Sequence, residues 1–446
     1  MNSSQPLDIQ TFLNAQRFSA FQWLVFAMCF LIVLLDGFDT AAIGFVAPSL
    51  LQQWGVARPA LAPVLSAALF GLAFGAFSAG PLADRLGRRL VLLGAVTVFG
   101  LGSLASAFAH DLTQLTVLRF VTGLGLGAAM PNAVTLISEY CPDARRATLT
   151  NLMFCGFPLG AALGGFLAAW MIPHWGWGSV FVLGGAVPIA LVLLMTVALP
   201  ESARYMVAKA YPAARIRAVL RRISRSADAA ESFVMTERAA APGDAGRSGM
   251  AVVLSPAYLV GSVMLWVAYF MGLVIFYALV NWMPVLFRDI GLDTRSATLI
   301  AALFPLGGVG AVYFGWLMDR FNPDRVILAG FVLTALAVYA IGQVGNAIGP
   351  LVVVVLLAGT LMNTSQSSLP ALAAAFYPTQ GRATGVAWMM GIGRFGGIAG
   401  SFLVAELTRR ELDFSGIFAL VAIPGAVAAA ALLVKHIAHP QPAKQG

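Results

Sequence analysis

The segment Gly80-Pro-Leu-Ala-Asp84-Arg85-Leu-Gly-Arg88-Arg89 lies between two apolar stretches of the chain. A related segment, Gly315-Trp-Leu-Met-Asp319-Arg320-Phe-Asn-Pro-Asp-Arg325, follows 235 residues later and is also flanked by apolar stretches. A second pair of segments, Arg146-Ala-Thr148 and Arg382-Ala-Thr384, is 236 residues apart. Two pairs with nearly the same offset indicate an internal repeat, and therefore a chain built from two homologous halves.

The composition is that of a membrane protein. Of the 446 residues, 59% are hydrophobic and 10% are charged, and the mean hydropathy is +0.85. Soluble proteins carry about 25% charged residues. The scarcity of charge excludes a soluble enzyme, a secreted disulfide-stabilised domain and a disordered chain. The three cysteines and four histidines show no metal-ligand spacing, so we predict neither a metal site nor a cofactor.

Twelve apolar runs have the length of about 20 residues that a membrane-spanning helix needs. We therefore predict an all-α polytopic membrane protein whose twelve transmembrane helices form two pseudo-symmetric six-helix bundles. The predicted divisions are an N-terminal tail at 1–20, a first bundle at 21–199, a basic linker at 200–254, a second bundle at 255–434 and a C-terminal tail at 435–446.

The distribution of positive charge predicts the orientation of the chain. The tails, the linker and the loops on their side of the membrane hold 20 Lys and Arg residues, whereas the loops on the other side hold 5. Because Lys and Arg are enriched in cytoplasmic segments, we expect a multi-pass protein of the bacterial inner membrane with both termini in the cytoplasm. Nine of these residues lie in the linker. The cytoplasmic location of the linker by itself accounts for these nine basic residues, so we predict no nucleic-acid partner.

Several segments resemble known transporter motifs. The segment Gly80–Arg89 resembles the loop motif of the major facilitator superfamily, and Arg119-x-x-x-Gly123-x-Gly125-x-Gly127 resembles its fourth-helix motif. More narrowly, Leu35-Asp36-Gly37-Phe38-Asp39-Thr40 resembles the first-helix signature of the aromatic acid:proton symporters. The segments at 377–385 and 391–396 are similar to the tenth-to-eleventh helix region of that family.

The resemblance runs along the whole chain and is closest to the 4-hydroxybenzoate and protocatechuate transporters. It implies import of an aromatic carboxylate with protons by alternating access, driven by the proton gradient and carried out by a monomer without enzymatic activity. The aromatic nature of the cargo is inferred from this resemblance alone. A symporter for another organic anion or a sugar on the same fold, and a transporter-like receptor, remain as alternatives.

Four charged residues lie inside predicted spans, where a charge is costly and usually serves an ion or substrate pathway. Asp36 and Asp39 share one helix face, and we predict that they couple transport to protons and contact the substrate; which of them carries the proton stays open. Arg394 lies near the midplane and is predicted to bind the substrate carboxylate, with a permanent salt bridge to either aspartate as the alternative. Arg119 is predicted to take part in coupling or to form a structural pair.

Further side chains are candidates for contact with an aromatic ring or for control of access. Tyr269 and Tyr277 are eight residues apart and therefore lie on one helix face. Amides inside spans either bond a ring hydroxyl or bridge helices. The predicted ring and hydroxyl contacts are Phe38, Tyr269, Tyr277, Trp388, Asn132, Asn363 and Gln366. The predicted gate, formed by the repeated loops and their neighbours, comprises Asp84, Arg85, Arg88, Glu139, Arg146, Asp319, Arg320 and Arg382.

Overall fold

A computed structural model of the protein describes residues 6–235, 249–310, 317, 320–377 and 379–439. Within these ranges, the side chains at positions 80, 84, 144, 146–148, 151, 309 and 379–383 are not described. Of the predicted gate, Asp319 and the side chains of Asp84, Arg146 and Arg382 therefore lie outside the described residues.

The described chain is almost entirely helical, as predicted. Eleven of its helices are long and apolar enough to cross a membrane. A shorter apolar helix, Thr294–Leu306, and the 3-10 turn that follows it at Gly307–Gly310 lie where the sequence predicts the second span of the second bundle. In chain order the strands and helices are β1 (Leu7–Asp8), α1 (Ile9–Ala15), α2 (Ala20–Trp54), α3 (Ala62–Leu86), α4 (Arg88–Ser106), α5 (Leu112–Tyr140), α6 (Asp143–Phe154), α7 (Gly156–Trp175), α8 (Gly178–Ala198), α9 (Ala203–Ala208), α10 (Ala213–Leu220), β2 (Phe233–Val234), α11 (Gly249–Val253), α12 (Leu259–Asp289), α13 (Thr294–Leu306), α14 (Pro323–Val344), α15 (Ile348–Phe376), α16 (Thr379–Arg409) and α17 (Phe414–Ala438).

Polar residues set where several of the long helices begin. Ser19 and Gln22 form a reciprocal capping box at the start of α2. The carboxylates of Asp111, Asp293 and Asp413 each accept a hydrogen bond from the backbone N–H three residues further on. These bonds satisfy backbone donors that the helix itself leaves free. The apolar spans therefore start at defined residues.

Glycines allow neighbouring helices to pack with their backbones almost in contact. A Cβ atom added at Gly160 would overlap the backbone of Leu34, and one added at Gly37 would overlap the backbone of Phe157. These two positions place α7 directly against α2. Small residues at such crossings are typical of membrane helices, because close approach maximises packing where lipid offers no hydrophobic driving force.

The N-terminal segment and the linker fold together into a small unit, which we call the tail–linker unit (residues 7–15 and 203–234). Strand β1 pairs in parallel with β2, and Phe12 and Leu13 pack in one apolar cluster with residues of α9 and α10. Asn14 also exchanges two hydrogen bonds of 2.9 Å with Asp143, at the start of α6. The residues predicted as tail and linker thus form a folded connection to the first bundle.

The two halves pack together more closely on one side of the membrane than on the other. We call the side that carries Ala20 and Ala438 the terminal side, and the side that carries Trp54 and Asp289 the opposite side. On the opposite side, Arg58 and Asp289 form an ion pair of 2.7 Å.

The apolar cores follow the same division. The end of α2 on the opposite side, from Phe38 to Leu50, belongs to a core that includes both halves. The part of α2 on the terminal side, from Phe21 to Leu35, belongs to a cluster that, among the described residues, draws on the first half alone. The halves therefore share a core on the opposite side, whereas on the terminal side the first half has a core of its own.

A fully buried ion pair on the terminal side joins α14 and α17, two spans of the second half. Lys435 Nζ of α17 lies 2.5 Å from Asp324 Oδ1 of α14, and both side chains are completely shielded from solvent. His436 Nδ1 lies 3.4 Å from the other oxygen of Asp324. Asp324 belongs to the second copy of the repeated loop segment, which this pair ties to the end of the bundle.

Removing the lysine of this pair is expected to destabilise the protein strongly. In Lys435→Met the Asp324 carboxylate stays buried without its main cation, and the free energy of unfolding should fall by about 3–5 kcal/mol. The double variant Asp324→Leu/Lys435→Met removes both charges and should recover most of this loss. The measurement is denaturant unfolding of the protein purified in detergent. Equal losses in the single and double variants would contradict the role of the pair.

Candidate functional site

Two of the four predicted intramembrane charges form a closed ion pair inside the first half. Arg119 Nη2 of α5 lies 2.8 Å from Asp39 Oδ2, and Nη1 donates to Oδ1 at 3.0 Å. Nη2 also donates to the backbone carbonyl of Asp39 at 3.0 Å, and the guanidinium carbon lies 5.4 Å from the centre of the Phe181 ring. Both side chains are at most 1% exposed. Asp39 is therefore fully neutralised by Arg119.

Asp36 lies one turn earlier on α2 and is equally buried, but its surroundings differ. Its Oδ1 accepts a hydrogen bond of 3.2 Å from the Thr40 hydroxyl. The ion pairs found among the described residues include none with Asp36. Arg394, from the second half, lies within electrostatic range of this carboxyl group. Asp36 is thus the buried acid of α2 without a bonded cation.

Arg394 lies at the interface between the halves. Its Nη1 donates to the backbone carbonyl of Leu72 in α3 at 3.3 Å, so the side chain reaches from the second half to the first. The glycines around it make room for two tyrosines of α12: a Cβ atom at Gly393 would overlap the Tyr269 ring, and one at Gly397 would approach the Tyr277 ring to 2.6 Å. Both tyrosines lie within electrostatic range of the guanidinium.

The predicted amides occupy two kinds of place. Gln366 Nε2 donates to the backbone carbonyl of Tyr269 at 3.2 Å, which brings this amide to the tyrosines beside Arg394. Asn363 Nδ2 donates to the carbonyls of Phe304 and Gly359, so it bridges helices of the second half. Asn132 Nδ2 donates to Ala128 of its own helix. Of these three amide side chains, only Gln366 is bonded beside the tyrosines near Arg394.

The predicted ring-stacking residues are also divided. Phe38 is buried inside the first half, where its ring packs against Gly164 and Gly184. Trp388 stands on α16, its ring 6.0 Å from that of Trp266, and is 46% exposed. The structure therefore groups Asp36, Arg394, Tyr269, Tyr277 and Gln366 at the centre, and leaves Phe38 and Trp388 outside this group.

The site predictions did not include Asn281 of α12, which is 1% exposed. Together with Thr40, Leu72 and Tyr277 it lines a cavity of about 10 Å³ between the halves, room for about one water-sized group. The available signal was a lone amide in the apolar run Phe276–Trp282, since polar side chains inside spans are rare and functional.

Of the gate residues that the structure describes, Arg85, Arg88 and Glu139 make contacts within the first half and the linker, on the terminal side. Arg88 Nε lies 3.6 Å from Glu139 Oε1, and the backbone N–H groups of Arg88 and Arg89 donate to the carboxylate of Glu201. The backbone carbonyl of Arg85 accepts a hydrogen bond from Tyr205. Arg320 is exposed. Glu201, which the sequence prediction omitted, thus anchors the loop that carries the repeated motif.

The sequence of the chain is similar to those of known membrane transporters. The sequence matches the profile of the Major Facilitator Superfamily over residues 29–313 and 265–446. It is 51% identical to the 4-hydroxybenzoate transporter PcaK of Pseudomonas putida, over 98% of each chain. It is 46% identical to the gallate transporter of the same species, over 96% of this chain and 95% of that one.

A solved structure supports the fold. The structure of a D-xylose-proton symporter superposes with a TM-score of 0.71 at 17% identity, covering 93% of this chain and 97% of that one. At that identity the likeness concerns the arrangement of helices alone.

The Asp39–Arg119 pair is expected to be essential for a folded first half. In Asp39→Asn the buried guanidinium loses its counter-charge, which should lower the free energy of unfolding by about 3–5 kcal/mol. Asp36→Asn, one turn away, removes no bonded cation and serves as the matched control, with stability close to that of the wild type. Thermal unfolding in detergent compares the two, and equal stability of both variants would contradict the assignment.

Proposed function

The chain belongs to the Major Facilitator Superfamily, and we propose that it imports an aromatic carboxylate of the 4-hydroxybenzoate or protocatechuate type together with protons. It is a multi-pass membrane transporter and not an enzyme, and its predicted family and helical fold are confirmed. Its relatives, which include transporters of 4-hydroxybenzoate and gallate, support an aromatic acid as cargo.

The observation that carries this proposal is the position of Arg394 beside two tyrosine rings at the interface between the halves. A guanidinium offers a planar fork that matches a carboxylate, and aromatic rings pack well against the ring of a benzoate. Among the described residues, Arg394 has a backbone carbonyl as its hydrogen-bond partner and no carboxylate in an ion pair. Its charge is therefore available to the carboxylate of the cargo.

Asp36 is our candidate for the proton carrier. Arg119 already neutralises Asp39, whereas Asp36 has a hydroxyl as its bonded partner and lies within electrostatic range of Arg394. A buried carboxyl group without a paired cation is most easily accommodated in the membrane as a neutral acid. Protonation of Asp36 would release Arg394 from its attraction and prepare it for the anion.

The packing of the halves supports transport by alternating access. They share a core on the opposite side, whereas on the terminal side the first half has a core of its own, as expected for one of two rocking states. The sequence-based count of 20 basic residues in the tails, the linker and the loops predicted on their side supports a cytoplasmic location for the terminal side in the bacterial inner membrane. The proton gradient then drives import by a monomer without a cofactor, with the loops around Arg88 and Arg320 as the gate.

The primary test is uptake of radiolabelled 4-hydroxybenzoate by the purified protein in proteoliposomes. Accumulation should require an inward proton gradient and should collapse when a protonophore is added. A panel of hydroxybenzoates is expected to compete with the label, whereas aliphatic acids and D-xylose should not. Uptake that competes with sugars, or binding without flux, would replace this proposal with a sugar symporter or a receptor.

Asp36→Asn is expected to separate exchange from accumulation. The variant cannot take up or release a proton at this position, so proton-driven accumulation should fall at least tenfold. Counterflow of labelled against unlabelled 4-hydroxybenzoate needs no net proton movement and should continue. Loss of both activities in a correctly folded variant would argue against Asp36 as the proton carrier.

Arg394→Ala is expected to weaken binding rather than folding. Loss of a charge-assisted hydrogen bond to the cargo is worth about 1.5–3 kcal/mol, which corresponds to an increase of the KM by about 10- to 100-fold. Arg394→Lys keeps the charge without the planar fork and should fall between the wild type and the alanine variant. An unchanged KM in Arg394→Ala would exclude the proposed carboxylate site.

A further inference from the structure

Asn281 of α12 is held against the first half at the centre of the interface. A Cβ atom at Gly44 of α2 would overlap the backbone of Val280 and approach the Cα atom of Asn281 to 2.9 Å, so the two helices touch at this level. Thr40, one turn before Gly44, and Asn281 line the same small cavity. The amide is thus placed where the two halves meet, one turn along α2 from Asp36.

Hydrogen bonds from α16 fix which way this amide points. Asn281 Nδ2 donates to Ser401 Oγ at 2.8 Å, and the Ser401 hydroxyl in turn donates to the backbone carbonyl of Gly397 at 3.3 Å. Since the single hydroxyl proton of Ser401 is used in that bond, Ser401 Oγ can only accept from Asn281. The nitrogen of the amide therefore faces α16, and its oxygen faces away.

The oxygen of this amide has no donor. Asn281 Oδ1 is buried, and no hydrogen-bond donor of the described residues reaches it. A buried acceptor without a partner costs about 1–3 kcal/mol. The cavity that Asn281 shares with Thr40 and Tyr277 measures about 10 Å³, enough for one hydroxyl group and too small for a ring. Asn281 therefore combines a buried acceptor that has no donor among the described residues with a place in the wall of this cavity.

We propose that Asn281 Oδ1 accepts a hydrogen bond from a hydroxyl group on the ring of the cargo, and so selects hydroxylated benzoates over benzoate. This inference rests on the proposed function and specifies its substrate class. The carboxylate would lie at Arg394 and the ring beside Tyr277, whose side chain lies near the guanidinium and also lines the cavity. The hydroxyl group would then enter the cavity between Thr40 and Asn281.

The wild-type protein provides the first test, through competition by para-substituted benzoates against labelled 4-hydroxybenzoate. Unlabelled 4-hydroxybenzoate and 4-aminobenzoate carry a donor at the ring end, whereas 4-fluorobenzoate and 4-methylbenzoate are similar in size and carry none. The donor compounds are expected to compete at concentrations at least about tenfold lower, because the others leave Oδ1 unpaired. Equal potency of donors and non-donors would overturn the assignment. That result is expected if a water molecule, and not the cargo, donates to this oxygen.

The variant Asn281→Leu tests the residue itself. It keeps the approximate volume and removes the acceptor, so the preference for 4-hydroxybenzoate over 4-fluorobenzoate should shrink from at least tenfold to about one. Thr334→Val, which removes a buried hydroxyl bonded within α14, controls for general loss of polarity and should keep the preference. A preference that persists in Asn281→Leu would overturn the proposal. If no benzoate competes even in the wild type, the proposed function fails instead.

Discussion

The cost of placing charge inside a membrane is the constraint on which the rest of this protein depends. Among the described residues, four charged side chains lie inside the spans and away from the helix ends, and they form two different arrangements. Asp39 and Arg119 neutralise each other completely within the first half. Asp36 and Arg394 belong to different halves and are near each other without a bonded ion pair. Because this second pair spans the interface, its geometry depends on how the two halves are placed relative to each other.

Close packing of the helices fixes the positions of these charged side chains. Gly37 and Gly160 bring α7 against α2, so the segment that carries both aspartates is rigidly placed in the first half. Gly393 and Gly397 let two tyrosines of α12 pack closely against α16, within electrostatic range of the Arg394 guanidinium. Gly44 then sets the distance between the halves at Asn281. At each of these positions a larger side chain would push apart the groups that form the central site.

The tail–linker unit extends the same rigid body beyond the membrane. Its apolar cluster and the hydrogen bonds from Asn14 to Asp143 connect the N-terminal segment, the linker and the start of α6. Glu201 at the end of the first half binds the backbone of the loop at Arg88 and Arg89. The segments that the sequence predicts as a tail and a linker are therefore packed against the first half.

The sequence alone determined the membrane location, the two related halves and the identity of the four intramembrane charges. These are properties of composition and of position along the chain. A charge inside a span of about 20 apolar residues is costly whichever helices surround that span, so it can be recognised from the sequence. It could not decide whether Arg119 or Arg394 neutralises Asp39, nor that Phe38 and Asn363 turn inward to their own halves. Such partners are up to hundreds of residues apart, and they depend on how each helix is rotated and how closely it packs. Only the tertiary structure could therefore show that, among the described residues, Asp36 has no bonded cation and Asn281 Oδ1 has no donor.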